Sequence, residues 1–371
     1  MLALRVRGAN ALRTLAGRAR APLFCAPAGA VAPSSTTAGP PAPVPLRIAQ
    51  PSATATWARY SEPARAAAHA SSLSDRDGFW SAAASRFSWL RRWDSVCESS
   101  FSPGAPFVRW FSGAECNVSA NCLDVHVAAG RGDAPALTWE ADDGRVETYT
   151  YAALLLAVEA AAAALREAGV QRGDVVTLVL PQTPAVAIAM LACARLGAPH
   201  SAVFAGLSAA AVADRIVDAR SSVVVTADVA LRGGRAHPLK AIVDDAAALA
   251  RAKGVEVRRM LVARRTPAPP TTTTTTAHAL PPGWVAGRDE WLEDAIARVS
   301  AAGPPRVAPE RMAAADPLFL LYTSGSTGKP KGVVHATAGW MVYAGTTMRE
   351  LFGTRDGATS EGERATKPRG A

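Results

Sequence analysis

From Tyr151 to Ala263 the chain alternates between amphipathic stretches and short, unbroken apolar runs. Tyr151–Ala168 has apolar residues at helical spacing and is followed by Gly169, the residue type that most readily closes a helix in the left-handed conformation. Val175-Val-Thr-Leu-Val-Leu180 lacks the alternation of a half-exposed strand, which predicts a strand covered on both faces and ended by Pro181. A second helix is predicted from about Pro184 to Leu196, opening on proline and closing at Gly197. Ser201–Phe204 reads as a strand, Ser208–Ala219 as a helix with Ser208 as its N-cap, and Ser222–Thr226 as a strand. A helix over Pro238–Ala252 and a strand over Val257–Ala263 follow. Strands separated by helices of this length predict parallel βαβ layers, hence an α/β fold.

The flanks differ. From Trp57 the aromatic residues Phe79, Trp80, Phe87, Trp89 and Trp93 are spaced first helically and then irregularly, which suits core packing and a docking surface rather than catalysis. Phe101-Ser-Pro-Gly104 is a turn, Val108–Phe111 a short strand, and Asn117–Asp124 leads into a helix containing His126. Ala136–Glu140 and Val146–Thr150, flanking Asp142-Asp-Gly144, predict a hairpin. Residues 264–283, with six consecutive threonines, predict a low-complexity surface insert. Gly287–Trp291 is expected to begin another helix.

Charge adds one distinction. The net charge of +9 could suggest nucleic acid, but no Asp or Glu precedes Glu62 while seven arginines do. The excess therefore belongs to a basic tail, and no zinc-finger spacing, basic helix or RNP-type aromatic pattern supports a nucleic-acid partner. Residues 1–50, rich in Ala, Arg, Pro, Ser and Thr, have the composition of an organelle transit peptide, for mitochondrion or plastid alike. No apolar run of about 18 residues predicts a membrane span. The five cysteines form no C-x-x-C pair and are expected to be free thiols; no metal site is predicted from them.

Candidate chemistry gathers at Tyr322-Thr-Ser-Gly-Ser-Thr-Gly-Lys-Pro-Lys-Gly332, directly after the apolar run Pro317–Leu321. Glycines allow close backbone approach, hydroxyls and loop amides form an anion-binding concavity, and two lysines add charge. The common P-loop does not fit: it needs Gly where Thr323 stands and Ser or Thr where Pro330 stands. A second concentration is Leu231-Arg-Gly-Gly-Arg235, where two arginines flank two glycines, a spacing that lets both guanidinium groups meet one phosphate.

The first loop resembles the phosphate-binding signature of the adenylate-forming superfamily of AMP-forming acyl-CoA synthetases. That resemblance implies that Thr323, Ser324, Gly325, Ser326, Thr327, Gly328, Lys329 and Lys331 hold the β- and γ-phosphates of ATP. Ala227-Asp-Val-Ala-Leu-Arg-Gly-Gly-Arg235 is similar to the segment with which acetyl-CoA synthetases bind the 3′-phosphate ADP end of CoA, which implies CoA binding by Arg232, Gly233, Gly234 and Arg235. Phe204-Ala-Gly206 resembles a neighbouring loop that approaches CoA's adenine. The succession D-x-D-G-F-W, W-L-x-x-W-D, F-S-P-G, W-F-x-G and N-V-S-x-N-C-L-D is similar to the acetyl-CoA synthetase lead-in.

The organisation implied is a lead-in over 57–119, a partial AMP-binding domain over 120–352 and a tail over 353–371 outside the family pattern. The implied reaction joins acetate to CoA with ATP and Mg²⁺, through an acetyl-adenylate; propionate as the acid, or a fragment that binds nucleotide or CoA without catalysis, are the alternatives. The family's acyl pocket, adenine contacts, magnesium carboxylate and adenylation lysine have no counterpart here. The resemblance thus implies catalytic residues beyond residue 371 and a chain inactive alone, with no expectation for its oligomeric state. His126, His200, His237 and His335 are expected to be structural.

Overall fold

The computed structural model describes residues 62–141, 144–232, 235–265, 280–323 and 330–352. Helices α1 (Glu62–Ser74) and α2 (Arg76–Ala84) come first, and Asp75 caps α2 by accepting from the Gly78 amide at 2.9 Å. Strands β1 (Ser95–Ser100) and β2 (Phe107–Ser112) form an antiparallel ribbon across the predicted turn. β3 (Glu115–Cys116), α3 (Val118–Cys122) and α4 (Asp124–Ala128), which carries His126, complete the lead-in. The predicted hairpin is present as β4 (Pro135–Glu140) and β5 (Val146–Thr150), followed by α5 (Tyr151–Glu167).

The alternation read from the sequence builds one layered unit. In chain order it comprises β6 (Val176–Val179), α6 (Pro184–Arg195), β7 (His200–Ala202), α7 (Ala209–Ala219) and β8 (Val223–Ala227). A short ribbon, β9 (Ala230–Arg232) with β10 (Arg235–His237), precedes α8 (Leu239–Ala252) and β11 (Arg259–Ala263). Then come β12 (Asp289–Trp291), α9 (Leu292–Val299), β13 (Met312–Ala313), β14 (Pro317–Thr323), β15 (Lys331–Ala336) and α10 (Thr337–Glu350). Seven strands form one sheet in the order β12-β11-β8-β6-β7-β14-β15, parallel throughout except for β14 against β15. From β6 the chain steps to β7 on one side and then to β8 on the other. With right-handed crossovers, α7 and α8 lie on one face and α6 on the opposite one. Every residue of β6 and β8 is buried, as strands covered on both faces must be.

Alanine explains how the helices approach so closely. α5 buries Leu154, Leu155, Val158, Ala160, Ala161, Ala162, Ala164 and Leu165, because small side chains let α6, α9 and the β4–β5 ribbon crowd around it. Gly197, at φ +65°, ends α6 in a space where a Cβ would lie 2.5 Å from the Met312 sulfur. The tryptophans of the lead-in pack as expected: Trp80, Phe87, Trp89, Trp93 and Trp110 surround a second cluster that includes Ala338, Met341 and Val342 of α10.

Two buried charges tie the layers together. Arg195, 2% exposed, grips Asp124 with two hydrogen bonds of 2.8 and 2.9 Å and reaches Glu159 at 3.4 Å and the Val307 carbonyl. Arg306 donates to the other Glu159 oxygen at 3.0 Å. Asn117 donates to the Ala194 and Glu310 carbonyls, each at 2.9 Å, so the lead-in is bolted to the end of α6. Lys240, 1% exposed, lies between Asp244 and Asp289 at 2.7 and 2.8 Å.

Two expectations are corrected. Asp289–Trp291 is a parallel edge strand and not a helix start, because Asp289 is held by buried Lys240 and Trp291 is buried, and only the helix from Leu292 onward is free to coil. The strand expected over Ser201–Phe204 covers His200–Ala202. Arg232 and Arg235 come after β8 and before α8, carried by β9 and β10. β15 and α10 were not foreseen. Beyond β15 no strand pairs with the sheet among the described residues, and Tyr343, Leu351 and Phe352 are exposed. No described helix is long and apolar enough to cross a membrane.

His200 sets a pH limit on this core. It stacks on Phe319, which stacks in turn on His335, and its Nδ1 is buried without a partner among the described residues. Burial lowers its pKa from 6.5 to about 4. The unfolded chain therefore binds the proton first, and stability should fall as pH drops from about 6.5 towards 4, by roughly 3 kcal/mol in all. Denaturant melts across this window should show that loss, and His200→Leu should flatten it; parallel profiles would contradict the assignment.

Candidate active site

The arginine segment grows from the end of β8. Asp228 follows the last strand residue, and its Oδ1 accepts from the amides of Val229 at 2.8 Å and Arg265 at 2.7 Å. Its carbonyl accepts from the Lys240 amide at 3.1 Å, where α8 begins. One residue thus gathers the root of the β9–β10 ribbon, the end of β11 and the start of α8. Along the ribbon the register sets Arg235 directly across from Arg232. Arg235 is exposed and makes no ion pair among the described residues, so its charge is available to an anion. Gly233 and Gly234 lie outside the described residues, as does the side chain of Arg232.

The hydroxyl-rich loop leaves β14 and returns as β15. Thr323 and Lys331 are cross-strand partners at its base, both exposed. Lys331 makes no ion pair among the described residues. Ser324, Gly325, Ser326, Thr327, Gly328 and Lys329 lie outside the described residues. His335 sits on β15 against Phe319, and burial lowers its pKa.

Both features stand at the same edge of the sheet. β8 and β14 run in the same direction, so the ribbon and the loop both emerge from carboxyl ends. Open α/β sheets bind ligands at this edge, beside the point where the strand order reverses, and here β6 is that point. Three strand steps separate β8 from β14, about 14 Å at ordinary strand spacing. Two side chains that sequence reading missed enrich this edge. Arg265 follows β11 and places its guanidinium 5.3 Å from the Trp139 ring, and Trp139 donates to the Gln182 carbonyl just beyond β6. The signal for Arg265 was a base directly after an apolar strand, as in Ala263-Arg-Arg265, and nothing local marked Trp139.

Mg²⁺ finds no ready cage here. No group of three His, Cys, Asp or Glu side chains suited to a metal occurs among the described residues. Mg²⁺ commonly takes one or two carboxylates together with substrate phosphates. The exposed candidate groups described at this edge, Thr323, Lys331 and Arg235, are hydroxyl and cationic, so they fit the phosphates rather than the ion.

The model of the AMP-binding enzyme family matches residues 125–364, and that of the acetyl-coenzyme A synthetase N-terminus matches residues 65–122. Acetyl-coenzyme A synthetase of Serratia proteamaculans is 44% identical over 288 residues, 77% of this chain and 41% of the relative. That of Rhizobium rhizogenes is 44% identical over 290 residues, 78% of this chain and 42% of the relative. The chain thus spans about two fifths of the length of these curated relatives. Among solved structures, acetoacetyl-CoA synthetase from Streptomyces lividans superposes with a TM-score of 0.63 at 26% identity, covering 78% of this chain and 40% of that one.

Asp228→Ala should leave two amide donors at the ribbon root without their acceptor, at a cost of about 1–3 kcal/mol. The expected results are a lower denaturation midpoint and faster hydrogen exchange at Val229 and Arg265. Unchanged exchange at both amides would show that Asp228 does not hold the ribbon.

Proposed function

The chain belongs to the AMP-binding enzyme family, and from that premise we propose that it serves an acetate–CoA ligase that makes acetyl-CoA, AMP and pyrophosphate from acetate, ATP and CoA. The observation that carries the reading is the arrangement of two anion-directed features on one carboxyl edge of a parallel sheet. One is rich in hydroxyls and lysine, and the other in arginine. The 44% identity to acetyl-coenzyme A synthetases favours acetate as the acid.

In the first step a carboxylate oxygen attacks the α-phosphorus of ATP and pyrophosphate leaves. The carboxylate is already ionised, so no protein base is required, and the demand on the chain is to orient the triphosphate and receive the departing charge. Thr323, Ser324, Ser326 and Thr327 would offer hydroxyl donors, Gly325 and Gly328 would let the backbone approach, and Lys329 and Lys331 would balance the charge of the β- and γ-phosphates. Mg²⁺ would supply further charge neutralisation on those phosphates. In the second step the CoA sulfur attacks the acyl carbon and AMP leaves. Arg232 and Arg235 would hold the 3′-phosphate ADP end of CoA, with Gly233 and Gly234 leaving room for it.

The reaction as a whole is proposed for a protein of the relatives' length, since the matched stretch is about two fifths of it. The isolated chain is expected to bind ligands without turnover. Its acid-free, arginine-bearing N-terminus supports delivery to a mitochondrion or plastid, and its composition supports small-molecule substrates rather than nucleic acid.

A chimera tests the reading. Residues 62–352 would replace the matching stretch of the Serratia proteamaculans acetyl-coenzyme A synthetase. Acetate-dependent exchange of pyrophosphate into ATP should persist, and Lys329→Ala in the chimera should lower it roughly a hundredfold. A folded chimera with no exchange, or an indifferent Lys329, would contradict the proposed role.

A further inference from the structure

The base of the hydroxyl-rich loop is closed by a contact that the two-step reaction does not use. Tyr322 and Gly332 are cross-strand partners, one step outside the Thr323–Lys331 pair. Tyr322 Oη donates to Asp218 Oδ2 at 2.9 Å. Asp218 stands in the last turn of α7, a helix anchored in the core by buried Val212, Ala213 and Ile216. Arg215, three residues earlier, holds its guanidinium 5.1 Å from the centre of the Tyr322 ring.

Gly332 shows how tightly this corner is packed. A Cβ there would meet Asp218 Oδ2 at 3.1 Å and Tyr322 Cε1 at 3.2 Å, closer than ordinary van der Waals contact. The strand returning from the loop therefore passes directly against the Tyr322–Asp218 pair. Burial first, and then the Asp218 carboxylate, push the Tyr322 phenol up, so it stays protonated and acts as the donor.

We propose that Tyr322 and Asp218 are positioning residues for the phosphate loop, latching both of its strand ends to α7. The inference rests on the reading of residues 323–331 as a phosphate site and deepens it. Without the latch the two roots can splay, and Thr323 and Lys331 are no longer held opposite each other at the base of the site. The helix supplies the fixed point, because its buried face cannot shift without opening the core.

Calorimetric titration of magnesium pyrophosphate into the 371-residue chain tests this, with CoA titrated in parallel. Tyr322→Phe and Asp218→Ala should each weaken pyrophosphate about tenfold. Asp218→Asn keeps an acceptor oxygen and should stay within about twofold of wild type. Gly332→Ala, which leaves both partners in place but crowds them, should weaken pyrophosphate as well and decides the matter if Tyr322→Phe fails to fold. CoA affinity should not change, and melting midpoints should fall only by what one lost hydrogen bond or one crowded contact costs. Wild-type affinity in Tyr322→Phe and Asp218→Ala would overturn the latch alone. Joint loss of pyrophosphate, CoA and thermal stability would reduce it to a general structural contact and overturn it too. Failure of the wild-type chain to bind pyrophosphate would overturn the phosphate-site reading, and the latch with it.

Discussion

Six of the seven strands in the main sheet run the same way, so their last residues share one edge. That common direction is the constraint on which the rest depends. It is set by the connections: crossover helices α6, α7 and α8 return the chain to the same end of the sheet before β7, β8 and β11, and strands covered by such helices, as β6 and β8 are, stay buried on both faces. Whatever follows β6, β8, β11 and β14 must therefore appear on the same side. In this chain those followers include Gln182, Asp228, Arg265 and the loop that Thr323 opens. The concentration of anion-directed groups there is a consequence of topology acting on residues scattered along the sequence.

A shared edge becomes a site only if its parts hold still. Two kinds of anchor do this. Deep in the molecule, Arg195 with Asp124 and Glu159, and Lys240 with Asp244 and Asp289, join elements far apart in sequence through buried charges that would be costly to leave single. Nearer the edge, single carboxylates take over. Asp228 collects two amides at the base of the arginine ribbon, and Asp218 receives Tyr322 at the base of the hydroxyl loop. Lys331 and Arg235, at that edge, are left exposed and without ion pairs among the described residues. Charges are neutralised where they support the frame and kept available where a phosphate would meet them.

How much of this was legible in advance follows from the reach of each signal. Local rules marked most of the frame: the unbroken run Val175–Leu180, Ser208 as a cap, and Gly169 and Gly197 as closures all concern neighbours a few residues apart. They failed where the deciding partner is distant. Asp289–Trp291 is too short to carry a period, and its strand state depends on β11 and on Lys240. β15 follows a loop of glycines and lysines that hides a six-residue strand. Tyr322 and Asp218 lie 104 residues apart, and nothing local joins them. The glycines and cations of both candidate motifs were visible because motif chemistry is local; their supports were not, because support comes from packing.

The central claim is that two separate anion sites share one sheet edge about 14 Å apart. The most direct measurement is a pair of titrations on the 371-residue chain, CoA into chain saturated with magnesium pyrophosphate and the reverse, repeated with Arg235→Ala and Lys331→Ala. The account expects each ligand to bind without displacing the other, Arg235→Ala to weaken only CoA, and Lys331→Ala to weaken only pyrophosphate. Mutual displacement, or a variant that weakens both ligands alike, would contradict it.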